Sequence, residues 1–204
     1  MAAADSVTSQ SSHLGLATVN SNNEVISLSG HAYGSTFFNI DENTLPEETQ
    51  LVAPTSIFVT GSGDIYFADN GDNSRTVNYA RIAKISASTG LVTTVVGNFI
   101  KGPQTVENSL ARRTKLYSLN PLANVVFGLI YTWAFNYYFP MGIHVTDAGE
   151  IYYSDTNAHR IRKVLANGTV TTYAGGSSSC TGASQTCGDG GNRLSATLNF
   201  PSGK

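Results

Sequence analysis

Pro54-Thr55-Ser56-Ile57-Phe58-Val59-Thr60-Gly61-Ser62-Gly63-Asp64-Ile65-Tyr66-Phe67-Ala68-Asp69 returns without a gap as Pro140-Met141-Gly142-Ile143-His144-Val145-Thr146-Asp147-Ala148-Gly149-Glu150-Ile151-Tyr152-Tyr153-Ser154-Asp155. Pro, Ile, Val, Thr, Gly, Ile, Tyr and Asp recur in place. The repeat continues: Arg81-Ile82-Ala83-Lys84-Ile85, a turn and Val92-Thr93-Thr94-Val95-Val96-Gly97 match Arg160-Ile161-Arg162-Lys163-Val164, a turn and Val170-Thr171-Thr172-Tyr173-Ala174-Gly175. Self-similarity at this spacing decides the architecture before any single element is assigned.

Working outward, a degenerate copy lies near the N-terminus, where Leu16-Ala17-Thr18-Val19, the turn Ser21-Asn22-Asn23 and Val25 to Gly30 align with Ile161 to Gly175. Leu198-Asn199-Phe200-Pro201 restarts the unit as Leu51-Val52-Ala53-Pro54 does earlier. The chain therefore divides into a flexible lead (1–13), a partial unit (14–30), a full unit (54–97), an apolar insert (117–139), a second full unit (140–175) and the start of another (198–204).

Each unit reads as four short apolar runs separated by turns, which is an antiparallel meander. Asn167-Gly168 is the strongest hairpin signal, since both residues accept the positive φ of a type I′ turn. Ile57-Phe58-Val59 and Ile65-Tyr66-Phe67-Ala68 are apolar throughout, where a half-solvated sheet would alternate. Both faces of each sheet need cover. Sheets stacked radially provide it, so the expected fold is all-β, a β-propeller of four-stranded antiparallel blades. Two full units are too few to close a ring, and the expectation is an incomplete propeller cut short at its C-terminal end, with two open sheet faces prone to association.

Composition agrees with this class. Of 204 residues, 20 are Gly and only 13% are charged, which suits tight turns and short strands rather than long solvated helices. The net charge of -2 provides no field that would favour nucleic acid or an anionic membrane. Residues 1–13 have neither a basic nor an apolar segment of signal-peptide type. The uncharged run 122–139 approaches membrane-spanning length, yet a single crossing would place the two full units on opposite sides of the bilayer, where they could not pack together. An inserted hairpin or a translated intron is the preferred reading, and a membrane-touching loop stays open.

The pattern Ile151-Tyr152-Tyr153-Ser154-Asp155 through His159-Arg160-Ile161-Arg162-Lys163-Val164 to Gly168-Thr169-Val170-Thr171-Thr172-Tyr173-Ala174-Gly175 resembles an NHL repeat, and Gly188-Asp189-Gly190-Gly191 to Pro201 resembles the connector of that family. The resemblance is weaker in the first unit, where the longer loop Asn70 to Ala80 intervenes and no His precedes Arg81. It implies a propeller of about six blades acting as a recognition platform.

Asp69 and Asp155, followed by Arg81 and Arg160, recur in both copies, and repetition points to a structural role: capping a turn or pairing within the blade. His159 fits the repeat consensus in the same sense. His144 replaces Phe58 on the expected innermost strand, where some propeller enzymes hold a metal or an acid/base group. A lone His without a carboxylate cluster reads more readily as a polar channel lining, and no metal, cofactor or catalytic group is implied. Cys180 and Cys187 suit a hairpin disulfide, with two free thiols as the alternative. Asn167-Gly168-Thr169 is an N-glycosylation sequon. Together these favour an extracellular or membrane-associated setting over the cytosol. The leading functional expectation is a non-catalytic platform that binds a protein or small ligand through loops such as 70–80 and 177–191. The alternatives are an RNA-binding propeller, disfavoured because Arg112-Arg113-Thr114-Lys115 and Arg160 to Lys163 are the only basic clusters, and a propeller enzyme of lactonase or amidating-lyase type.

Overall fold

A computed structural model describes residues 7–9, 16–19, 25–29, 42–49, 51, 54–69, 81–97, 107–113, 142–176, 179–180 and 187–202. The insert 117–139 and the loop 70–80 lie outside the described residues. Three short strands come first: β1 (Val7–Ser9), β2 (Leu16–Val19) and β3 (Val25–Ser29). The first full unit forms β4 (Pro54–Val59), β5 (Ile65–Asp69), β6 (Arg81–Ile85) and β7 (Val92–Val96). The second forms β9 (Ile143–Val145), β10 (Ile151–Asp155), β11 (Arg160–Val164) and β12 (Thr169–Ala174), preceded by β8 (Ser109–Leu110).

All pairings are antiparallel, in the orders β1-β2-β3, β4-β5-β6-β7 and β8-β12-β11-β10-β9. The register reproduces the sequence repeat residue by residue, with Asp69 opposite Arg81 and Asp155 opposite Arg160. A register shift falls at Ile82/Ala83, Ile161/Arg162 and Leu16/Ala17, three aligned positions. The N-terminal sheet thus shares the bulge position of the two full units.

Four expectations need correction. Residues 1–13 are not wholly a flexible lead: the β-branched Val7 and Thr8 pair with Thr18 and Ala17 in β1. The second blade has five strands, because β8 from the connector adds to its outer edge through Ser109 opposite Val170 and Leu110 opposite Thr169. Leu198 to Ser202 form no strand; Phe200 and Pro201 instead bond to His159 and Thr156. The turn at Asn167-Gly168 is not type I′, since only Gly168 has a positive φ, of 78°. Its bonds, Gly168 N to Leu165 O and Leu165 N to Thr169 O, define a three-residue loop with one left-handed position. Thr60–Gly63 and Thr146–Gly149 close in the same way, each ending on a left-handed Gly.

The two full blades stack face to face. Tyr66, Ala68, Ile82 and Val96 of the first meet Ile143, Val145, Ile151, Tyr153, Val164 and Val170 of the second in one buried cluster. On its other face the first blade buries Phe67, Ala83, Ile85 and Val92 with Leu51. Each fully buried aliphatic or aromatic side chain contributes roughly 1.5–3 kcal/mol relative to an exposed one, so a sheet of this composition is stable only when both faces are covered.

The connectors are fastened by a carboxylate. Glu42 Oε2 accepts from Thr94 N at 3.0 Å, and Glu107 Oε2 accepts from Thr172 N at 2.8 Å, at aligned positions on the outermost strands. Asn43 and Asn108, next in sequence, share a positive φ of 61° and 57° and donate to Val92 O and Val170 O, both at 2.9 Å. Glu107 does more than Glu42, since it also accepts from Thr172 Oγ1 at 2.7 Å and from Arg162 Nη1. Arg162 has no solvent exposure and stands where the first blade has Ala83. Its Nη1 also donates to Thr172 Oγ1 at 2.7 Å, while Nε and Nη2 have no hydrogen-bond partner among the described residues. Partial burial would raise the Glu107 pKa, but the two bonds from Thr172 and the Arg162 charge outweigh it and hold that carboxyl below its ordinary value.

Removing this acid leaves a buried guanidinium without its counter-charge. Glu107→Ala should lower stability to urea by about 3 kcal/mol, and Glu107→Gln, which keeps an acceptor for Thr172, by less. Because the folded pKa is depressed, the Glu107 contribution is fully present above its ordinary value of 4.5 and is lost as pH falls below it. Urea midpoints measured from neutral pH down through that range should fall more steeply for the wild type than for Glu107→Gln.

Candidate functional site

Three rings surround a cavity of about 210 Å³ at the inner edge of the two blades. Phe58 comes from β4, His144 from β9 and Tyr152 from β10. Registry brings His144 beside Tyr152 across the second hairpin, and the packing of β4 against β9 brings Phe58, which pairs with Tyr66 in the first, to His144. His144 is exposed between buried Ile143 and Val145, as expected where a strand alternates between core and solvent. The Phe58 and His144 rings stand edge to face at 5.1 Å, and His144 lies 6.5 Å from Tyr152. Tyr152 in turn meets Tyr173 edge to face at 4.9 Å, and the Arg193 guanidinium covers Tyr173 at 4.9 Å.

Gly142, Ile143, Tyr153, Ser154 and Ile161 complete the lining. The Ser154 hydroxyl oxygen accepts from Gly142 N at 3.0 Å. Burial first, and the Asp155 charge second, push the Tyr153 hydroxyl well above the usual tyrosine pKa, so it stays a neutral hydrogen-bonding group rather than a base. Among the described residues no three His, Cys, Asp or Glu side chains gather as a metal would require. The neighbours of His144 in this cavity are aromatic, and it has no carboxylate there to orient it as a general base.

A second cavity, of about 490 Å³, lies between the hairpin ends Thr60–Asp64 and Thr146–Gly149. Lys84 is fixed there by Asp64 at 2.6 Å and by the Tyr66 ring at 5.6 Å. Burial lowers the Lys84 pKa, but the bond to Asp64 and the Tyr66 contact outweigh it and raise it overall. The same trio recurs as Lys163, Glu150 and Tyr152, with the ion pair at 2.8 Å and the ring at 5.2 Å. A device present in both copies is part of the blade.

The repeated Asp and Arg residues face each other across adjacent strands. Arg160 Nε donates to Asp155 Oδ2 at 2.8 Å, and Arg81 Nε lies 3.8 Å from Asp69 Oδ2. All four are buried. Burial pulls the Arg81 pKa down while Asp69 opposes it. Arg162, which belongs to the sequence's second basic cluster, is wholly buried as well, so neither it nor Arg160 offers a guanidinium to a phosphate backbone.

His159 occupies the left-handed region at φ 52°, ψ 41°. Its Nδ1 accepts from Phe200 N at 3.2 Å, and its ring meets Phe200 edge to face at 4.5 Å. Gly175 lies beneath this corner with φ 94°; a Cβ there would come within 2.5 Å of His159 O. Thr156 Oγ1 donates to Pro201 O at 2.8 Å, so His159 and Thr156 together dock the connector. The disulfide Cys180–Cys187 closes the base of that connector, where Thr197 N donates to Cys187 O. Asn167 is exposed at its turn, and its Oδ1 accepts from Thr169 N at 3.1 Å and from Thr169 Oγ1 at 2.7 Å.

The sequence reading singled out His144 but missed Phe58 and Tyr152 as its companions. For Tyr152 the available signal was the pairing register, which puts position 144 beside 152. It also missed Glu42 and Glu107, although Glu42-Asn43-Thr44-Leu45 and Glu107-Asn108-Ser109-Leu110 repeat in the sequence.

No protein-family model matches the chain, and no curated protein matches it. Among solved structures, an auxiliary nutrient binding protein from Bacteroides thetaiotaomicron VPI-5482 is similar with a TM-score of 0.50 and 14% identity, over 97% of this chain and 39% of that one. Virginiamycin B lyase from Staphylococcus aureus is similar with a TM-score of 0.42 and 12% identity, over 85% of this chain and 38% of that one. The chain thus spans about two fifths of the length of either protein. At these identities the likeness speaks for the fold alone, and the fold is an all-β propeller built from antiparallel blades.

Proposed function

We propose that this chain is a recognition module of NHL-repeat type, in which the cavity between Phe58, His144 and Tyr152 receives a small ligand with a flat apolar face and a polar edge. A propeller hosts both binding and lyase chemistry, so the site and not the fold has to carry the reading. The observation that carries it is the divergence between the two copies. Ile143, Tyr152 and Ile161 of the lining repeat Ile57, Tyr66 and Ile82, whereas His144, Tyr153 and Ser154 replace Phe58, Phe67 and Ala68. Of these, His144 and Ser154 stand on the same strand face as Tyr152 and bring two polar side chains to a cavity whose rings supply stacking surface, whereas the Tyr153 ring packs between the blades. That combination of apolar walls with a few convergent polar groups is the usual make-up of a small-molecule site. The acid/base reading lacks a carboxylate partner for His144 within the cavity, and the non-catalytic reading is preferred for that reason.

The setting we infer is an oxidising compartment, supported by the disulfide Cys180–Cys187 and by the exposed sequon at Asn167.

Ligand-observed magnetic resonance with a panel of small aromatic compounds and monosaccharides should find binders whose affinity drops about two- to twelvefold in Phe58→Ala and His144→Ala, the loss of one aromatic contact being worth about 0.5–1.5 kcal/mol. His144 is exposed, so its variant should melt like the wild type. Binding that ignores both substitutions would place the ligand elsewhere. Production in a secretory eukaryotic host should yield a glycan released by endoglycosidase and abolished by Asn167→Gln, together with a non-reduced mass lighter by the two thiol hydrogens of Cys180 and Cys187.

A further inference from the structure

Strand β9 and its two flanks join the two cavities. Gly142, Ile143 and His144 line the proposed ligand site, and Val145, Thr146 and Asp147 line the larger cavity between the hairpin ends. Phe58 lines both: its ring meets His144 in the first, and it shares a wall with Tyr66 and Lys84 in the second. The cavities thus adjoin at one aromatic ring, along a single strand.

They differ in charge. The first is lined by no Asp, Glu, Lys or Arg, whereas the second holds Asp64, Lys84 and Asp147. Lys84 is engaged by Asp64 at 2.6 Å and by the Tyr66 ring, and Asp64 Oδ1 also accepts from Ala87 N at 2.9 Å. These two charges cancel. Asp147 is exposed, and its carboxylate has no hydrogen-bond or ion-pair partner among the described residues. The turn does not require an acid there, because the aligned residue is Gly61 and both turns close alike, Gly63 N to Thr60 O at 2.9 Å and Gly149 N to Thr146 O at 2.8 Å. The larger cavity is therefore left with one uncompensated negative charge. His144 and Asp147 are three residues apart, and extended chain advances about 3.3 Å per residue, so the two stations lie on the order of 10 Å apart.

We propose that the ligand is a two-ended amine, with a flat ring between Phe58, His144 and Tyr152 and a chain that runs along β9 to a protonated amine at Asp147. This rests on the proposed reading of the first cavity and adds the charge and length of what binds there. An ammonium group answers the carboxylate of Asp147 and is also attracted to a nearby ring face such as that of Phe58. A carboxylate ligand finds Lys84 already neutralised and meets Asp147 as a like charge. A neutral ligand gains nothing from the acid.

Phenylbutylamine, phenylbutanol and phenylvalerate carry an amine, a hydroxyl or a carboxylate on the same ring and chain. In ligand-observed magnetic resonance at low ionic strength the amine should bind about two- to fivefold tighter than the alcohol, the worth of one exposed ion pair, and the carboxylate most weakly. The advantage of the amine should shrink as salt is added, vanish in Asp147→Asn and pass to the carboxylate in Asp147→Lys. Both variants should melt like the wild type. Benzylamine, whose amine lies too close to its ring to reach Asp147, should bind no better than benzyl alcohol. Absence of binding by all three phenylalkyl probes, equal affinity of amine and alcohol, a preference that survives Asp147→Asn, or amine binding indifferent to His144→Ala would overturn the inference. The two proposals fail separately. Probes that weaken in Phe58→Ala and His144→Ala yet rank equally leave the ring site standing and remove only the amine, whereas binding that ignores both ring substitutions removes the ring site itself.

Discussion

Burial of one sheet against the next is the interaction on which the rest of this structure depends. The first full blade has no polar face. Tyr66, Ala68, Ile82 and Val96 are as apolar as Phe67, Ala83, Ile85 and Val92 on the opposite side of the same strands. A single such sheet has no stable arrangement in water, because covering one face leaves the other exposed. Stacking settles both faces with one kind of contact. It also requires the strands of successive blades to register similarly, which is why the bulges at Leu16/Ala17, Ile82/Ala83 and Ile161/Arg162 coincide.

Stacking alone does not settle the outer edge, where the outermost strand has unpaired backbone groups. The connectors solve this with few residues. A two-residue strand at Ser109–Leu110 and a bridge at Thr44 extend the sheet, and Glu107 and Glu42 take the next N–H group as a side chain would in a helix cap. Asn at a positive φ directs the acid inward. The second blade adds Arg162 to this arrangement, filling the space of Ala83 with a long side chain whose charge Glu107 meets. A buried arginine is costly without such a partner, so the clamp in the second blade is more sensitive to pH and substitution than its plainer counterpart at Glu42.

Most of the architecture was legible because it is written twice. The internal repeat located β4 to β7 and β9 to β12, since a strand that must be covered on both sides tolerates little change of pattern. The elements that escaped are those whose signal is short. β8 is two residues long, and its meaning lies in the acid before it and in the distant strand it joins. β1 lies in a stretch of Ser, Thr, Ala and Gln whose composition reads as linker. The turn at Asn167-Gly168 was misjudged because Asn-Gly serves both a two-residue hairpin and a three-residue loop, and the choice belongs to the strand register. The site was less legible than the fold. His144 stood out as an exception to the repeat, but the ring of Phe58 reaches it from the other blade, and a contact between blades leaves no mark in local sequence.

Two copies of one unit also separate constraint from function in a way a single domain does not. Asp69 with Arg81 and Asp155 with Arg160 recur because every blade has to neutralise the same strand ends, and Lys84 and Lys163 recur over Tyr66 and Tyr152 for similar reasons. Such residues are chemically conspicuous and functionally uninformative. The exceptions behave differently. Phe58 to His144, Phe67 to Tyr153 and Ala68 to Ser154 all lie on the cavity wall, although nothing in the packing of the blade requires the three changes to occur together. Ala83 to Arg162 lies off that wall and is answered by Glu107, so it is explained by the connector. Polar groups entering an apolar layer are destabilising unless they acquire partners. Ser154 has Gly142 for a partner, and His144 is held at the solvent edge by Phe58. The cost is thereby limited, and the cavity keeps donors and acceptors that a purely structural blade would not need.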